Sequence, residues 1–209
     1  MAAGVSVNTS DASKGRRPSD SRARLLAAAR KLFVERGYHD TRPQDISREA
    51  GLGHGTFYLH FADKRACFLA FQEEARNELD AAVRAETGNE RSLSGIIHAT
   101  LRAIFTYAET HPHVLLTAMA DEAIISAAGG AGRTLVDRWS DDWAQTLSEM
   151  SASGLIDRGI DVSVVSPAVI GAIHQAASSG YRAGKSRDAL LEGLTTFLTK
   201  ALKPQVSAP

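Results

Sequence analysis

Three glycines fall within five residues, at Gly51, Gly53 and Gly55, inside the stretch REAGLGHGTFYLHFADK. Closely spaced glycines are typical of phosphate-binding loops, but such a loop ends in Gly-Lys-Ser/Thr and follows a β-strand. This stretch has neither that ending nor a β-branched run before it. We therefore expect the glycines to shape the backbone, and the segments on either side indicate how.

Helical periodicity runs through the chain on both sides of the glycines. Apolar residues recur at three- and four-residue spacing, and no segment shows the convincing two-residue alternation of a strand. The pattern predicts helices over Ser21–Gly37, Thr41–Gly51, a short part of 53–61, Ala62 to about Glu86, Ser92–Thr110, Pro112–Ala128, Arg133–Ser153, Ser163–Gly184 and Ser186–Leu202, with a Gly-Gly-Ala-Gly break at 129–132. The sequence therefore predicts an all-α fold.

The composition is that of an ordinary globular protein. Of 209 residues, 44% are hydrophobic and 23% charged, and no apolar run is long enough to span a membrane. The single cysteine, Cys67, cannot form an internal disulfide, and the first twenty residues lack the apolar centre of a secretory signal. Because residues 1–20 are polar and rich in Ser, Gly and Ala, we predict a disordered arm there and a cytoplasmic protein.

The net charge of zero hides an uneven distribution of charge along the chain. Residues 1–70 hold twelve Lys and Arg against seven Asp and Glu, an excess of five positive charges that the remainder balances. A basic first third followed by an acidic remainder favours a nucleic-acid-binding end on a separate body. A solvated basic tail remains the alternative explanation on charge alone.

The glycine-rich stretch fits two short helices joined by a tight turn. Gly51 is expected to take the left-handed conformation that ends the first helix, Leu52 to enter the interior, and Gly53 to let the chain reverse. On the second short helix, Phe57 and Phe61 share one face and are predicted to point inward. The result is a helix-turn-helix.

The opposite face of the second short helix carries the candidate DNA-binding residues. Gly55 permits close approach to the major groove, Thr56 can bond a base edge or phosphate, and Leu59 suits a thymine methyl group. Tyr58 and His60 can donate to phosphates, although both could instead cap the small three-helix core. By position and chemistry, the set also includes Arg42, Gln44 and His54.

The segment RARLLAAARKLFVERGYHDTRPQDISREAGLGHGTFYLHFADKRACFLAF, residues 22–71, resembles the DNA-binding domain of the tetracycline-repressor-like (TetR) family of bacterial regulators. The resemblance rests on Leu32, Phe33, Gly37, Tyr38, Thr41, Ile46, Ala50, Gly51, Gly55, Thr56, Tyr58, Phe61 and Lys64. It implies DNA contacts from Thr41, Thr56, Tyr58 and Lys64. The chain departs from the family pattern at Gly53-His54, where Ser-Lys is common, and at Arg42-Pro43.

The last two predicted helices suggest a dimer interface. Small residues recur on the first of them and apolar residues on the second: Ala168, Gly171, Ala172, Ala176, Gly180, Ala183, then Leu190, Leu191, Leu194, Phe197 and Leu198. Small residues let helices approach closely, and a helix-turn-helix protein that binds a palindrome is expected to be dimeric. Packing within one subunit is the alternative reading of the same pattern.

The helices between these regions carry apolar bulk with few polar groups, a mixture typical of ligand pockets. The candidate effector-binding residues are His98, Phe105, Met119, Trp139, Trp143 and His174. Core packing explains most of these residues equally well. A metal site at His111-Pro112-His113 is disfavoured, because no Cys or carboxylate stands at matching spacing, so neither a metal nor a cofactor is predicted.

Other functional classes fit the sequence less well. An enzyme would need convergent catalytic groups, but the neighbouring pairs Asp121-Glu122 and Asp141-Asp142 point in different directions on a helix. The sequence therefore predicts a homodimeric regulator that binds near-palindromic double-stranded operator DNA, most simply a repressor released by a small apolar effector. The alternative is a C-terminal part that serves only dimerisation or protein contacts. We predict a disordered arm at 1–20, a helix-turn-helix domain at 21–66 and a ligand-binding and dimerisation domain at 67–203.

Overall fold

The structure, a computed structural model, describes residues 18–120 and 135–204. These residues form helices joined by short turns and contain no strand, so the predicted all-α class is confirmed. The helices are α1 (Pro18–Arg36), α2 (Pro43–Glu49), α3 (His54–His60), α4 (Lys64–Thr87), α5 (Leu93–Thr110), α6 (Val114–Ala120), α7 (Leu135–Ala152), α8 (Val162–Arg182) and α9 (Arg187–Leu202).

Local sequence signals set most of the helix ends. Asp63, Ser92 and Ser186 are N-caps whose side chains accept hydrogen bonds from Ala66, Gly95 and Ala189 at 2.7, 3.0 and 3.3 Å. The first helix is described from Pro18, three residues before the predicted Ser21. The rest of the predicted arm, residues 1–17, and the predicted break at 129–132 lie outside the described residues.

The buried side chains form two apolar clusters. We call α1, α2 and α3 together the head. The first cluster lies beneath the head and extends along α4 to α6 and α7, where it includes the buried residues Leu135 and Trp139. The second cluster joins α5, α7, α8 and α9 and includes Leu101, Leu147 and Leu194. We call these four helices together with α6 the body. Ile104 on α5 packs against both clusters, so the two cores meet there.

Helix α4 connects the head to the body. Phe68 and Phe71 lie fully buried near its start and form an aromatic cluster with Phe33 of α1, with ring centroids 5.0 and 5.9 Å from Phe33. Gln72, also buried, donates to the Ala118 carbonyl oxygen of α6 at 2.6 Å. Because α4 supplies side chains to both parts, the boundary between residues 66 and 67 stays a proposal.

No described helix has both the length and the apolar character required to cross a bilayer.

Candidate nucleic-acid interface

The turn between α2 and α3 has the geometry of a helix-turn-helix. Gly51 adopts the left-handed conformation, with φ of 63°, and the Leu52 amide donates to the Ser47 carbonyl oxygen at 2.9 Å. Gly53 instead has an ordinary extended conformation with φ of −65°, so the expectation that it supplies a glycine-specific reversal is wrong. One glycine, Gly51, therefore forms the turn.

Arg24 of α1 holds this turn against the rest of the head, a role that the sequence analysis missed. Its guanidinium donates to the carbonyl oxygens of Ala50 and Gly51, which end α2. A basic residue near a helix C-terminus also complements the negative end of the helix dipole. The contact joins residues 26 positions apart, and local pattern gives no sign of it.

Helix α3 buries one face and leaves the other open. Phe57 and Phe61 are buried in the head with ring centroids 5.5 Å apart, as predicted. On the outer face, Tyr58 is 52% and Leu59 is 80% exposed. Because exposing a leucine to water has no benefit for the isolated chain, Leu59 is well placed to contact a partner surface.

Gly55 adds a second sign that this face receives a partner. Apart from the adjoining residues and backbone of its own helix, a Cβ atom at Gly55 would meet no atom of the described structure within 4 Å, so packing does not require glycine there. Glycine in a helix is less favourable than alanine by about 1 kcal/mol. The bare backbone at the start of α3 therefore suits close approach by a molecule outside the chain.

The other outward-facing candidates surround this face. His54, Arg42 and Gln44 are exposed, while Thr56 and His60 are half-buried. The His54 ring lies edge-on to Tyr58, with centroids 5.3 Å apart. Arg42 precedes α2 as its N-cap without a side-chain capping bond, so its guanidinium is not used in capping. Among these side chains, His54 and Tyr58 are in contact at the start of α3, whereas His60 lies at the end of α3 and Arg42 and Gln44 lie at the start of α2.

Thr41 does not belong to this exposed surface. Its side chain is fully buried, and its hydroxyl donates to the carbonyl oxygens of Gly37, at 2.8 Å, and Leu32, at 3.3 Å. These bonds fasten the loop between α1 and α2. Because it is buried, the Thr41 hydroxyl cannot reach a partner molecule. The expected DNA contact from this side chain is therefore corrected: the side chain has a structural role.

Lys64 has an internal role in addition to its position at the rim. Its ammonium group donates to the carbonyl oxygens of Tyr38, at 2.7 Å, and His39, at 3.2 Å. It also lies 4.2 Å from the centre of the Tyr38 ring, within the range of a cation–π contact. Lys64 thus ties the first turn of α4 to the loop before α2.

The candidate effector-binding residues are not gathered in one place. Trp139 and Met119 belong to the cluster that includes the head, whereas Phe105 is buried in the other cluster. His98 and His174 are exposed, and His98 lies 3.4 Å from the Thr195 hydroxyl. Trp143 is half-buried. The two histidines are therefore poor candidates for an interior site.

The Trp139 indole nitrogen is the polar atom of this set that the structure leaves without a partner. Nε1 is buried and makes no hydrogen bond within the described residues. A buried, unsatisfied donor costs about 1–3 kcal/mol. A bound molecule with an acceptor group would remove that cost.

The predicted dimer face divides into an internal and an external part. Leu191, Leu194 and Leu198 of α9 are buried within the subunit, and a Cβ at Gly180 would overlap Leu190. These residues pack within one subunit, which is the alternative to the predicted dimer contact. Phe197 is 56% exposed, and a shallow groove beside it is lined by Ala172, Ala176 and Gly193. The groove and Phe197 form the apolar face that remains open between α8 and α9.

Known proteins resemble the chain most clearly in the head. The family model described as bacterial regulatory proteins, tetR family, matches residues 25–71. The HTH-type transcriptional repressor AcnR of Corynebacterium efficiens is 34% identical over 87 residues, which cover 42% of this chain and 44% of AcnR. The matched stretch therefore spans less than half the length of that relative.

The fold of the whole chain also has solved counterparts. A transcriptional regulator of Syntrophomonas wolfei assigned to the TetR family superposes with a TM-score of 0.71 at 17% identity, covering 91% of this chain and 99% of that one. The regulator FadR of Bacillus subtilis, solved with stearoyl-CoA, superposes with a TM-score of 0.66 at 18% identity, covering 86% and 98%. At these identities the likeness shows the shared fold alone.

Proposed function

We propose that the chain is a TetR-family transcriptional regulator, since the family model matches residues 25–71, and that it binds operator DNA as a homodimer and acts as a repressor. The observation that carries this proposal is the outer face of α3, where Leu59 is 80% exposed beside the bare backbone of Gly55. An apolar contact to a thymine methyl and close approach to base edges suit this face. Under this proposal the chain is a regulator rather than an enzyme.

The residues around α3 have complementary roles in this proposal. Thr56, Tyr58, His54 and His60 are placed to contact base edges or phosphates, and Arg42 and Gln44 extend the surface along α2. Contacts to phosphates fix the position of the protein, whereas base contacts select the sequence. Lys64 supports the surface by holding the loop before α2.

Selection of bound duplexes from a random-sequence pool tests the DNA-binding proposal. The full-length protein is expected to enrich a near-palindromic sequence and to bind it less tightly as salt concentration rises. Tyr58→Ala, which changes an exposed side chain on α3, should enrich a less defined sequence. A pool without any enriched sequence would contradict the proposal.

The open face between α8 and α9 supports dimerisation. Phe197 of α9 is 56% exposed and lies beside the groove lined by Ala172, Ala176 and Gly193. An exposed apolar patch of this kind marks an interaction site. Pairing two copies through these helices would hold two α3 helices at a fixed separation, which two half-sites about 34 Å apart require.

The proposed effector is a small, largely apolar molecule that binds the body. Buried Phe105 and Trp139 and half-buried Met119 and Trp143 remain the candidate contacts, whereas His98 and His174 lie at the surface. The unpartnered Trp139 Nε1 favours an effector with an acceptor beside its apolar part. The FadR structure with stearoyl-CoA makes that acyl-CoA a suitable first probe, although the identity of 18% shows only a common fold.

Calorimetry with stearoyl-CoA, with and without operator DNA, tests the effector proposal. If the ligand releases DNA, operator DNA must weaken ligand binding by the same factor, typically about 5- to 150-fold. Equal affinities in the two titrations would exclude stearoyl-CoA as the inducer. If a broader panel of apolar ligands also failed to bind, the alternative that the body serves only dimerisation or protein contacts would replace this proposal.

A further inference from the structure

Three polar side chains from different helices meet where the head joins the body. The Arg30 guanidinium of α1 donates to both carboxylate oxygens of Glu78 on α4, at 2.7 and 2.9 Å. The Tyr107 hydroxyl of α5 donates to the same carboxylate at 2.6 Å, and Arg30 lies 3.4 Å from that hydroxyl. We call Arg30, Glu78 and Tyr107 the junction network.

The junction network is partly shielded from water, and its charges are matched. The Tyr107 residue is 4% and the Arg30 side chain 19% exposed. Burial would raise the pKa of Glu78, but hydrogen bonds from Arg30 and Tyr107 outweigh it and hold the pKa below its usual range. Burial and the Glu78 carboxylate raise the pKa of Tyr107, so its hydroxyl stays a donor. The charge on Glu78 and the proton on Tyr107 are therefore both maintained at neutral pH.

The network has a mechanical connection to the DNA-facing surface. Arg24 lies on the same helix as Arg30 and binds the carbonyl oxygens of the turn that precedes α3. Since α1 is a continuous helix from Pro18 to Arg36, Arg30 and Arg24 move together. A shift of α1 at Arg30 would therefore be passed on to α3.

The network also has a connection to the open face of the body. On α5, Thr106 directly precedes Tyr107 and accepts a hydrogen bond from Arg187 of α9 at 2.6 Å, and Glu109 pairs with Arg187 at 3.5 Å. Arg187 begins α9, the helix that carries exposed Phe197. A chain of contacts thus joins the turn before α3 to the proposed dimer face.

We propose that Arg30, Glu78 and Tyr107 are positioning residues that set the angle of the head on the body and so fix the half-site spacing that the dimer accepts. The inference rests on the proposed function, because spacing has meaning only for a dimer that binds two half-sites. Inserting one base pair between half-sites separates them by about 3.4 Å and rotates them by about 35°. A head held rigidly should reject that change, whereas a loosened head should tolerate it.

The chain offers a matched control for a variant of this network. Glu74 stands one turn before Glu78 on α4, and their side chains are equally exposed at 36%. Glu74 approaches Arg30 only to 3.5 Å through one oxygen, and Tyr107 donates to Glu78. Glu78→Gln and Glu74→Gln therefore remove the same charge, but only the first breaks the network.

The experiment measures the affinity of each protein for its selected operator, for that operator with one central base pair added, and for a single half-site. The inserted base pair lowers the affinity for the operator by some factor in the wild type. In Tyr107→Phe and in Glu78→Gln, that factor should be at least about five-fold smaller. Half-site affinity should stay within two-fold, roughly the limit of such a comparison. Tyr107→Phe loses one hydroxyl and keeps the ring that stacks 4.4 Å from His111, so it serves if Glu78→Gln folds poorly.

The possible outcomes separate this inference from the proposed function. Unchanged spacing discrimination in Tyr107→Phe, or an equal change in Glu74→Gln, would overturn the inference and leave operator binding intact. A wild type that selects an operator but tolerates the insertion would do the same. A wild type that selects no operator would overturn the proposed function, and the inference with it.

Discussion

Leu59 has the largest exposed fraction among the exposed large apolar side chains, at 80%. Leu59→Ala should leave the fold unchanged and reduce discrimination at the base pair it contacts by about 1–3 kcal/mol, the usual cost of one mismatch. Affinity for unrelated DNA should hardly change, because phosphate contacts remain. Leu116→Ala on α6, which removes another exposed leucine, is the control. Binding curves for operator and single-base variants decide between loss of selectivity and loss of overall affinity.

Lys64 has a structural role besides its predicted contact with DNA. Lys64→Ala removes the hydrogen bonds to the Tyr38 and His39 carbonyl oxygens and should lower the free energy of unfolding by about 1–3 kcal/mol. All DNA sequences should bind less well by a similar factor. Lys200→Ala, an exposed lysine on α9, makes the same change in charge. Equal unfolding free energies for the two variants, measured by denaturant titration, would contradict this role.

Within the helix-turn-helix, Gly51 is needed for folding, whereas Gly55 is expected to matter for DNA binding. Gly51→Ala should destabilise the protein by about 1–2 kcal/mol, because its φ of 63° is left-handed and the new Cβ would lie 3.1 Å from Arg24. Gly55→Ala meets open space and should stabilise α3 by up to about 1 kcal/mol, yet weaken operator binding. Thermal unfolding together with operator titration tests the pair. Stable Gly55→Ala protein with wild-type affinity would show that no partner approaches this backbone.

The helices show which parts of the structure are readable from sequence. Gly51 and the inward pair Phe57 and Phe61 follow from spacing within a few residues, and the sequence predicts them. The burial of Thr41 and the role of Arg24 depend on how helices pack, with the Arg24 contact spanning 26 residues. Periodicity indicates that a face is buried but not against which helix. For that reason the leucines of α9 could not be assigned to the dimer or to the subunit.

At the scale of the whole molecule, Phe197 tests the dimer. Phe197→Glu places a charge on an exposed residue of α9, so the subunit should fold with unchanged helix content but remain a monomer. The monomer should bind operator far more weakly, because it engages one half-site at a time. Leu116→Glu on α6 is the matched control and should stay dimeric. Sedimentation of both variants gives the answer, and a dimeric Phe197→Glu protein would move the interface elsewhere.

Recognition of a DNA sequence by the exposed face of α3 can be tested by a competition titration. The selected operator and a scrambled duplex of the same composition compete for the full-length protein at physiological salt. The operator should bind at least about 10³-fold more tightly than the scrambled duplex, which is the lower range for specific recognition. Equal competition by the scrambled duplex would contradict it, since the protein would then bind DNA through charge alone.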